Sequence, residues 1–182
     1  MIYYDGCVFT NEECEEILKH AQEFKKSGLD IAIGEKDYGT SYLPNKRKST
    51  QSAQTSKRGE FVFDKINEIL KSFNYKIIED ELPFDVIKYE EGDFIWRHRD
   101  DKGNRLFSFV IQLNDENNYV GGDFRYWIKE EEHLMTRKRG HGMIFLAGVY
   151  HEVLPVISGT RHSFVSFLRS DQVVSLEPVR LI

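Results

Sequence analysis

The chain has 182 residues and 21.4 kDa, with 25 Lys and Arg against 30 Asp and Glu, giving a formal net charge of −5. That length suits one domain with a sizeable core and argues against a second full one, and the acidic balance argues against broad electrostatic binding of nucleic acid. No apolar run reaches membrane-spanning length, and Met1-Ile2-Tyr3-Tyr4-Asp5 lacks the basic and apolar regions of a signal peptide, so a cytoplasmic protein is the expectation.

In chain order, Ile2–Phe9 reads as a first strand. Thr10-Asn11-Glu12-Glu13 then has capping-box spacing, with Thr10 able to cap and Glu13 able to bond back. This predicts a helix that carries Cys14, Ile17, Leu18, Ala21 and Phe24 on its apolar face and stops at Gly28. Cys7 and Cys14 are the only cysteines and form no CxxC, which supports neither a disulfide framework nor a thiolate metal cluster.

From Ile33 to Gly59 the chain turns rich in Gly, Ser, Thr and charge, including Lys46-Arg47-Lys48. It reads as an irregular segment with at most one or two short strands, a solvated loop as the first reading and a substrate-contacting lid as the alternative. Glu60–Phe73 places Phe61, Phe63, Ile66, Ile69, Leu70 and Phe73 near helical spacing, and Asn74 helps to end that second helix. Short β-like runs follow: Tyr75–Ile78, Phe84–Tyr89, Phe94–Arg99, Leu106–Leu113, Asp123–Ile128, Gly142–Phe145, Glu152–Ile157 and Arg161–Arg169. Their spacing, with 13% aromatic residues to fill a small barrel, suits an antiparallel double sheet of jelly-roll type.

The chemistry concentrates in Trp96-Arg97-His98-Arg99-Asp100. On a strand His98 and Asp100 leave the same face, and a third ligand from a neighbouring strand, for which His151 is the candidate, completes a two-histidine, one-carboxylate set. Such a set leaves coordination positions open, which suits non-haem Fe(II) oxygenases rather than a closed structural zinc site. Arg161 and Ser163 share one face of their strand. A guanidinium inside a barrel is expensive to leave unpaired, so Arg161 suggests a resident anion, with a structural ion pair as the alternative. Both His151 and Arg161 must point inward, which requires a three-residue turn, Ser158-Gly159-Thr160, or a bulge between them, with a glycine-permitted conformation at Gly159.

Several other residues read more plainly. His20, His133, His141 and His162 are not expected as ligands, and Asp101 faces away from Asp100. Gly121-Gly122 reads as a tight turn, and Phe124, Tyr126, Trp96 and Trp127 as core or pocket wall. Lys88, Arg99 and Arg105 read as solvated charges, or as groups that orient an acidic substrate.

Taken together, the ordered series resembles the Fe(II)/2-oxoglutarate-dependent oxygenases in their prolyl 4-hydroxylase-like branch. It runs Tyr89-x-x-Gly92, His98-x-Asp100, Arg105, Leu113-Asn114, Tyr119-x-Gly121-Gly122-x-Phe124, Gly140, Phe145, His151-x-Val153-x-Pro155-Val156, Gly159 and Arg161-x-Ser163. The resemblance spans about Phe84 to Arg169. It implies a mainly β protein with flanking helices around a double-stranded β-helix core of cupin-like form. Residues 1–75 would then serve as scaffold and about 76–170 as the catalytic barrel. It further implies Fe(II) on His98, Asp100 and His151 as the catalytic centre, the far carboxylate of 2-oxoglutarate on Arg161 and Ser163, and Tyr89 as a further donor. Dioxygen is the second co-substrate and ascorbate a reductant. The implied reaction hydroxylates a substrate C–H bond and releases succinate and CO2. A prolyl or other peptidyl or amino-acid side chain is the first substrate class and a small molecule the second. Halogenation is disfavoured because Asp100 fills the position a halide needs. From a different class, a metal-binding cupin-like isomerase or a non-catalytic 2-oxoglutarate sensor remains open, and uncoupled succinate formation separates the oxygenase from both.

Overall fold

Apolar alternation in the second half of the chain resolves into two facing sheets. The computed structural model describes residues 2–21, 25–26, 29–33, 37–41, 47–55 and 60–176. Its elements are β1 (Ile2–Cys7), α1 (Asn11–His20), β2 (Lys25–Lys26), β3 (Leu29–Ile33), β4 (Asp37–Ser41), β5 (Arg47–Lys48), β6 (Thr50–Thr55) and α2 (Glu60–Lys71). There follow β7 (Tyr75–Ile77), β8 (Pro83–Tyr89), β9 (Phe94–His98), β10 (Arg105–Gln112), β11 (Tyr119–Gly121), β12 (Phe124–Ile128) and β13 (Glu131–Leu134). The last are β14 (His141–Leu146), β15 (His151–Val153), β16 (Val156–Gly159), β17 (Arg161–Arg169) and β18 (Val173–Ser175).

Seven strands form the larger sheet, in the order β1-β14-β10-β17-β8-β6-β2, and five form the smaller, β13-β12-β15-β9-β5. Strand parity divides the larger sheet's residues between two cores. Phe107, Phe109, Ile111, Ile144, Phe164, Val86 and Leu168 point outward to the helices, where they meet Cys14 and Ile17 of α1 and Val62, Ile66 and Leu70 of α2. Ile87, Val110, Met143 and Phe145 point inward to meet Ile95, Phe124 and Val153 of the smaller sheet. Covering both faces explains why β10 is buried from Phe107 to Gln112. The result is a double-stranded β-helix with two helices packed on its larger sheet.

The Thr10 capping box forms as its spacing predicts: Glu13 N–H donates to Thr10 Oγ1 at 3.2 Å and Thr10 N–H to Glu13 Oε2 at 2.7 Å. The expected stop at Gly28 is wrong. α1 ends at His20, with Ala21 extended as its C-cap and its N–H bonded to the Leu18 carbonyl. Lys25–Lys26 then pairs with Thr50–Gln51 at the edge of the larger sheet, so sheet pairing overrides the helical pattern. Phe24 and Gly28 lie outside the described residues.

The reading of Ile33–Gly59 as irregular also needs correction. It holds β4, β5, β6 and the end of β3, more than the one or two strands expected. β6 pairs along the whole of β8, from Thr50 opposite Lys88 to Thr55 opposite Pro83, and β5 pairs with β9. Residues 34–36, 42–46 and 56–59, with Lys46 among them, lie outside the described residues. The expected strand Glu152–Ile157 is two strands broken at Leu154-Pro155, and β11, β13 and β18 were not anticipated.

Gly142 shows how tightly the larger sheet is set. It lies between Gly6 of β1 and Ile111 of β10, and an added Cβ would collide with the Val110 carbonyl and sit 2.6 Å from Ile111 Cα. Both obstacles are backbone and cannot swing aside. Gly142→Ala is therefore expected to lower stability by about 3 kcal/mol, the upper end of overpacking costs, in urea unfolding. Gly148→Ala should cost far less, because its nearest atom is Asp101 Oδ2 at 3.9 Å.

Candidate metal and co-substrate site

His98 ends β9, and His151 begins β15 directly opposite it. The register between these strands slips by one, with Val153 opposite Ile95, so a bulge across Trp96-Arg97 turns both Ile95 and His98 toward the pocket. Asp100 lies just past the strand, where its N–H donates to the Ala147 carbonyl at 2.8 Å. Its side chain still falls beside His98. Ligand atoms of His98, Asp100 and His151 lie within 4.8 Å of one another. His151 is 4% and Asp100 8% exposed, while the His98 side chain stays partly open to solvent.

Hydrogen bonds decide which atoms face inward. His98 Nδ1–H donates to the Trp96 carbonyl at 2.8 Å and His151 Nδ1–H to the Val149 carbonyl at 2.9 Å. Each bond fixes the tautomer with a bare Nε2, and outer-shell carbonyls do this for metal-ligating histidines generally. The His98 Nε2 is 3.6 Å from Asp100 Oδ1 and the His151 Nε2 is 3.3 Å from Asp100 Oδ2. Burial pushes His151 down to about 4, while Asp100 pulls it up and His98 adds to the fall. Burial works against ionising Asp100 but is outweighed by the two histidines and a Ser108 hydrogen bond, so its carboxyl stays well below the usual range. The two inward-facing Nε2 atoms and the Asp100 carboxylate thus face one another, an arrangement suited to a divalent cation. The residues fit Fe(II). Phe124 stacks on His151 at 5.4 Å and Phe145 meets it edge-on at 5.1 Å, which holds the imidazole plane.

The same pocket, open on one side, is lined by Arg161, Ser163 and Tyr89 as well as His98, Asp100 and His151. Arg161 is 0% exposed. Its Nη1 donates to Ser163 Oγ at 3.3 Å, its guanidinium carbon lies 5.1 Å from the centroid of the Tyr89 ring, and its Nε and Nη2 have no partner. Among the described residues no carboxylate pairs with it. A buried guanidinium with two orphan donors fits a ligand carboxylate. Gly122, at φ +66, makes room for the Arg161 stem: a Cβ there would be 3.2 Å from Arg161 Cδ. Gly121 and Gly122 both take positive φ, and beyond the turn they serve this packing.

Of the two expected routes between His151 and Arg161, the bulge forms, with Gly159 in the glycine-permitted conformation, and the three-residue hairpin turn does not. His151 sits in the smaller sheet and Arg161 in the larger, and β16 between them pairs with β11. Bulges at His151/Val153 and Val120/Gly121, the break at Leu154-Pro155 and Gly159 at φ +78 carry the chain across. Asp101 turns away and pairs with Arg99 at 3.2 Å. Lys88 pairs with Glu90 on the outer face, while Arg105 lies over Phe167, a residue of the pocket wall, at 4.1 Å.

Two buried polar residues escaped the sequence reading. Ser108 donates to Asp100 Oδ2 at 2.9 Å, and Gln112, opposite Ser163, has both amide atoms without a partner. Both belong to the apolar run Leu106–Leu113, and a polar residue on the inner face of a fully buried strand was the available signal.

Comparison with known proteins agrees with this geometry. Residues 84–169 match the family model described as 2OG-Fe(II) oxygenase superfamily. No curated protein matches the chain. Among solved structures, a Pseudomonas putida prolyl-4-hydroxylase shares the fold at 18% identity and TM-score 0.63, over 90% of each chain. A Trichoplax adhaerens prolyl hydroxylase, solved with a hypoxia inducible factor peptide fragment, matches at 14% identity and TM-score 0.68, over 92% of this chain and 84% of that one. A viral collagen prolyl hydroxylase from Paramecium Bursaria Chlorella virus-1, solved with 2OG, matches at 18% and TM-score 0.59, over 88% and 91%. Residues 84–169, the segment that matches this 2OG-Fe(II) oxygenase superfamily model, carry every residue of the site.

Proposed function

We propose that the protein hydroxylates a C–H bond of a prolyl or other peptidyl or amino-acid side chain, using Fe(II), 2-oxoglutarate and dioxygen. One observation carries the reading: a lone-pair triad and a buried guanidinium with two free donors share one pocket. His98, Asp100 and His151 would hold the metal. Arg161, with Ser163, would take the far carboxylate of the co-substrate, and the Tyr89 ring would wall it. Bound Fe(II) supplies the oxidising chemistry that couples loss of CO2 from 2-oxoglutarate to hydroxylation. The chain's own part is to position and to keep water out: Ile87, Val153 and Val165 line the same pocket with hydrocarbon. The peptidyl substrate class is supported by the fold shared with prolyl hydroxylases, and a fold alone does not fix what is placed beside the oxidant.

Calorimetry with Mn(II)-loaded protein tests the co-substrate half without turnover. 2-Oxoglutarate should bind to the loaded protein, and 2-oxobutyrate, which lacks the far carboxylate, should bind at least about tenfold more weakly, since one charge-assisted pair exceeds 1.4 kcal/mol. Equal affinities would remove the anion site from the proposal. No helix among the described residues is long and apolar enough to cross a membrane.

A further inference from the structure

Asp100 has left its strand, so something other than sheet pairing must set its carboxylate. Its backbone is held by two bonds, its N–H donating to the Ala147 carbonyl and its carbonyl accepting from Lys102 N–H, each at 2.8 Å, and neither fixes the side-chain torsions. The side chain has one hydroxyl donor, Ser108, at 2.9 Å from Oδ2. Ser108 comes from β10 in the middle of the larger sheet, between Phe145 of β14 and Phe167 of β17, and is 0% exposed. Hydrocarbon would be the better filling for such a position, because a buried hydroxyl costs free energy unless it is bonded, and a serine gains little in a strand. Its hydroxyl instead reaches across to Asp100, just past the end of β9 of the facing sheet.

The geometry points to Ser108 as a positioning residue that fixes how Asp100 meets the metal. This rests on the metal reading above. By donating to Oδ2, the hydroxyl holds the plane of the carboxylate, with Oδ1 3.6 Å from His98 Nε2 and Oδ2 3.3 Å from His151 Nε2, so that both oxygens face the space between the histidines. Released, the carboxylate would be free to rotate out of that setting, which would change how it meets the ion and weaken the triad's fit to it. Ser108 thus touches neither metal nor substrate and acts through Asp100.

The test compares wild type, Ser108→Ala, Ser108→Thr and His151→Ala by titration with Mn(II) and by the visible spectrum of the Co(II)-loaded protein, with the melting temperature of the metal-free protein as a fold control. Removing an outer-shell partner of a metal ligand costs about 10–100-fold in metal affinity. Ser108→Ala should lose Mn(II) affinity by that factor and change the Co(II) spectrum, because the coordination of the carboxylate changes. Ser108→Thr keeps the hydroxyl and should restore both. If Ser108→Ala fails to fold, Ser108→Cys carries the same comparison, since a thiol fills the space but donates weakly. Mn(II) affinity within twofold of wild type together with an unchanged Co(II) spectrum would overturn the role of Ser108. A wild type that binds Mn(II) no better than His151→Ala would instead overturn the metal reading, so the two failures are distinct.

Discussion

Replacing Arg161 by alanine should cost about 2–5 kcal/mol in 2-oxoglutarate binding, the usual loss when one partner of a buried, hydrogen-bonded charge pair is truncated. At about 1.4 kcal/mol per tenfold, that is a loss of roughly 30-fold or more in affinity. The expectation rests on where Arg161 sits. It is fully buried, its Nε and Nη2 have no protein partner, and its hydrogen bond to Ser163 uses only Nη1. Arg161→Lys should recover only part of the loss, because an ammonium keeps the charge without the planar two-pronged match to a carboxylate. Metal affinity should change little, since the three ligand residues come from β9, the turn after it and β15, and not from β17. Separate titrations of Mn(II) and 2-oxoglutarate decide it. Equal losses for both ligands would mean that Arg161 supports the fold and not the anion.

The larger effect is expected at the triad itself. His151→Ala should remove stoichiometric metal binding, a loss beyond the roughly 10–100-fold that an outer-shell change costs. His151 is the best held of the three: its Nδ1–H is bonded to the Val149 carbonyl, and Phe124 and Phe145 pack against its ring. The alanine protein should remain folded, because the buried Asp100 carboxylate keeps the Ser108 hydrogen bond and His98 as partners when His151 is removed. Dialysis against Mn(II), followed by metal analysis of the protein, reads the result. Near-full metal content in His151→Ala would take this histidine out of the site.

How much of this was legible depended on whether a residue's role follows from its own stretch of chain. The larger sheet was readable because Phe107, Phe109 and Ile111 alternate with Ser108, Val110 and Gln112, and the same period runs through β17. The helix start was readable because the capping box is local to Thr10–Glu13. β6 was not. Thr50-Gln51-Ser52-Ala53-Gln54-Thr55 has no apolar alternation, and it is a strand because the edge of β8 needs a partner. β13 hides for a similar reason, since Glu131-Glu132-His133-Leu134 is a polar edge strand whose charges discourage further pairing.

The site divides in the same way. His98, Asp100, His151 and Arg161 carry rare side chains at motif spacing, and the structure brings all four into one pocket. Between His151 and Arg161 the need for a bulge and for a glycine conformation at Gly159 was legible from strand parity, whereas the alternative of a hairpin turn failed because the chain crosses from one sheet to the other. Ser108 and Gln112 are invisible to spacing. Their meaning arises only when β10 is placed against Asp100 and Ser163.

The most direct test of the account is an oxygen-transfer assay. Wild type and Asp100→Ala are each incubated with Fe(II), 2-oxoglutarate and isotopically heavy dioxygen, with pools of proline-containing peptides and free amino acids as substrates. The account predicts that wild type forms succinate and a product that has gained one heavy oxygen atom, in equal amounts, and that Asp100→Ala forms neither. Succinate at the same level in both proteins, or none above background in wild type, would contradict it.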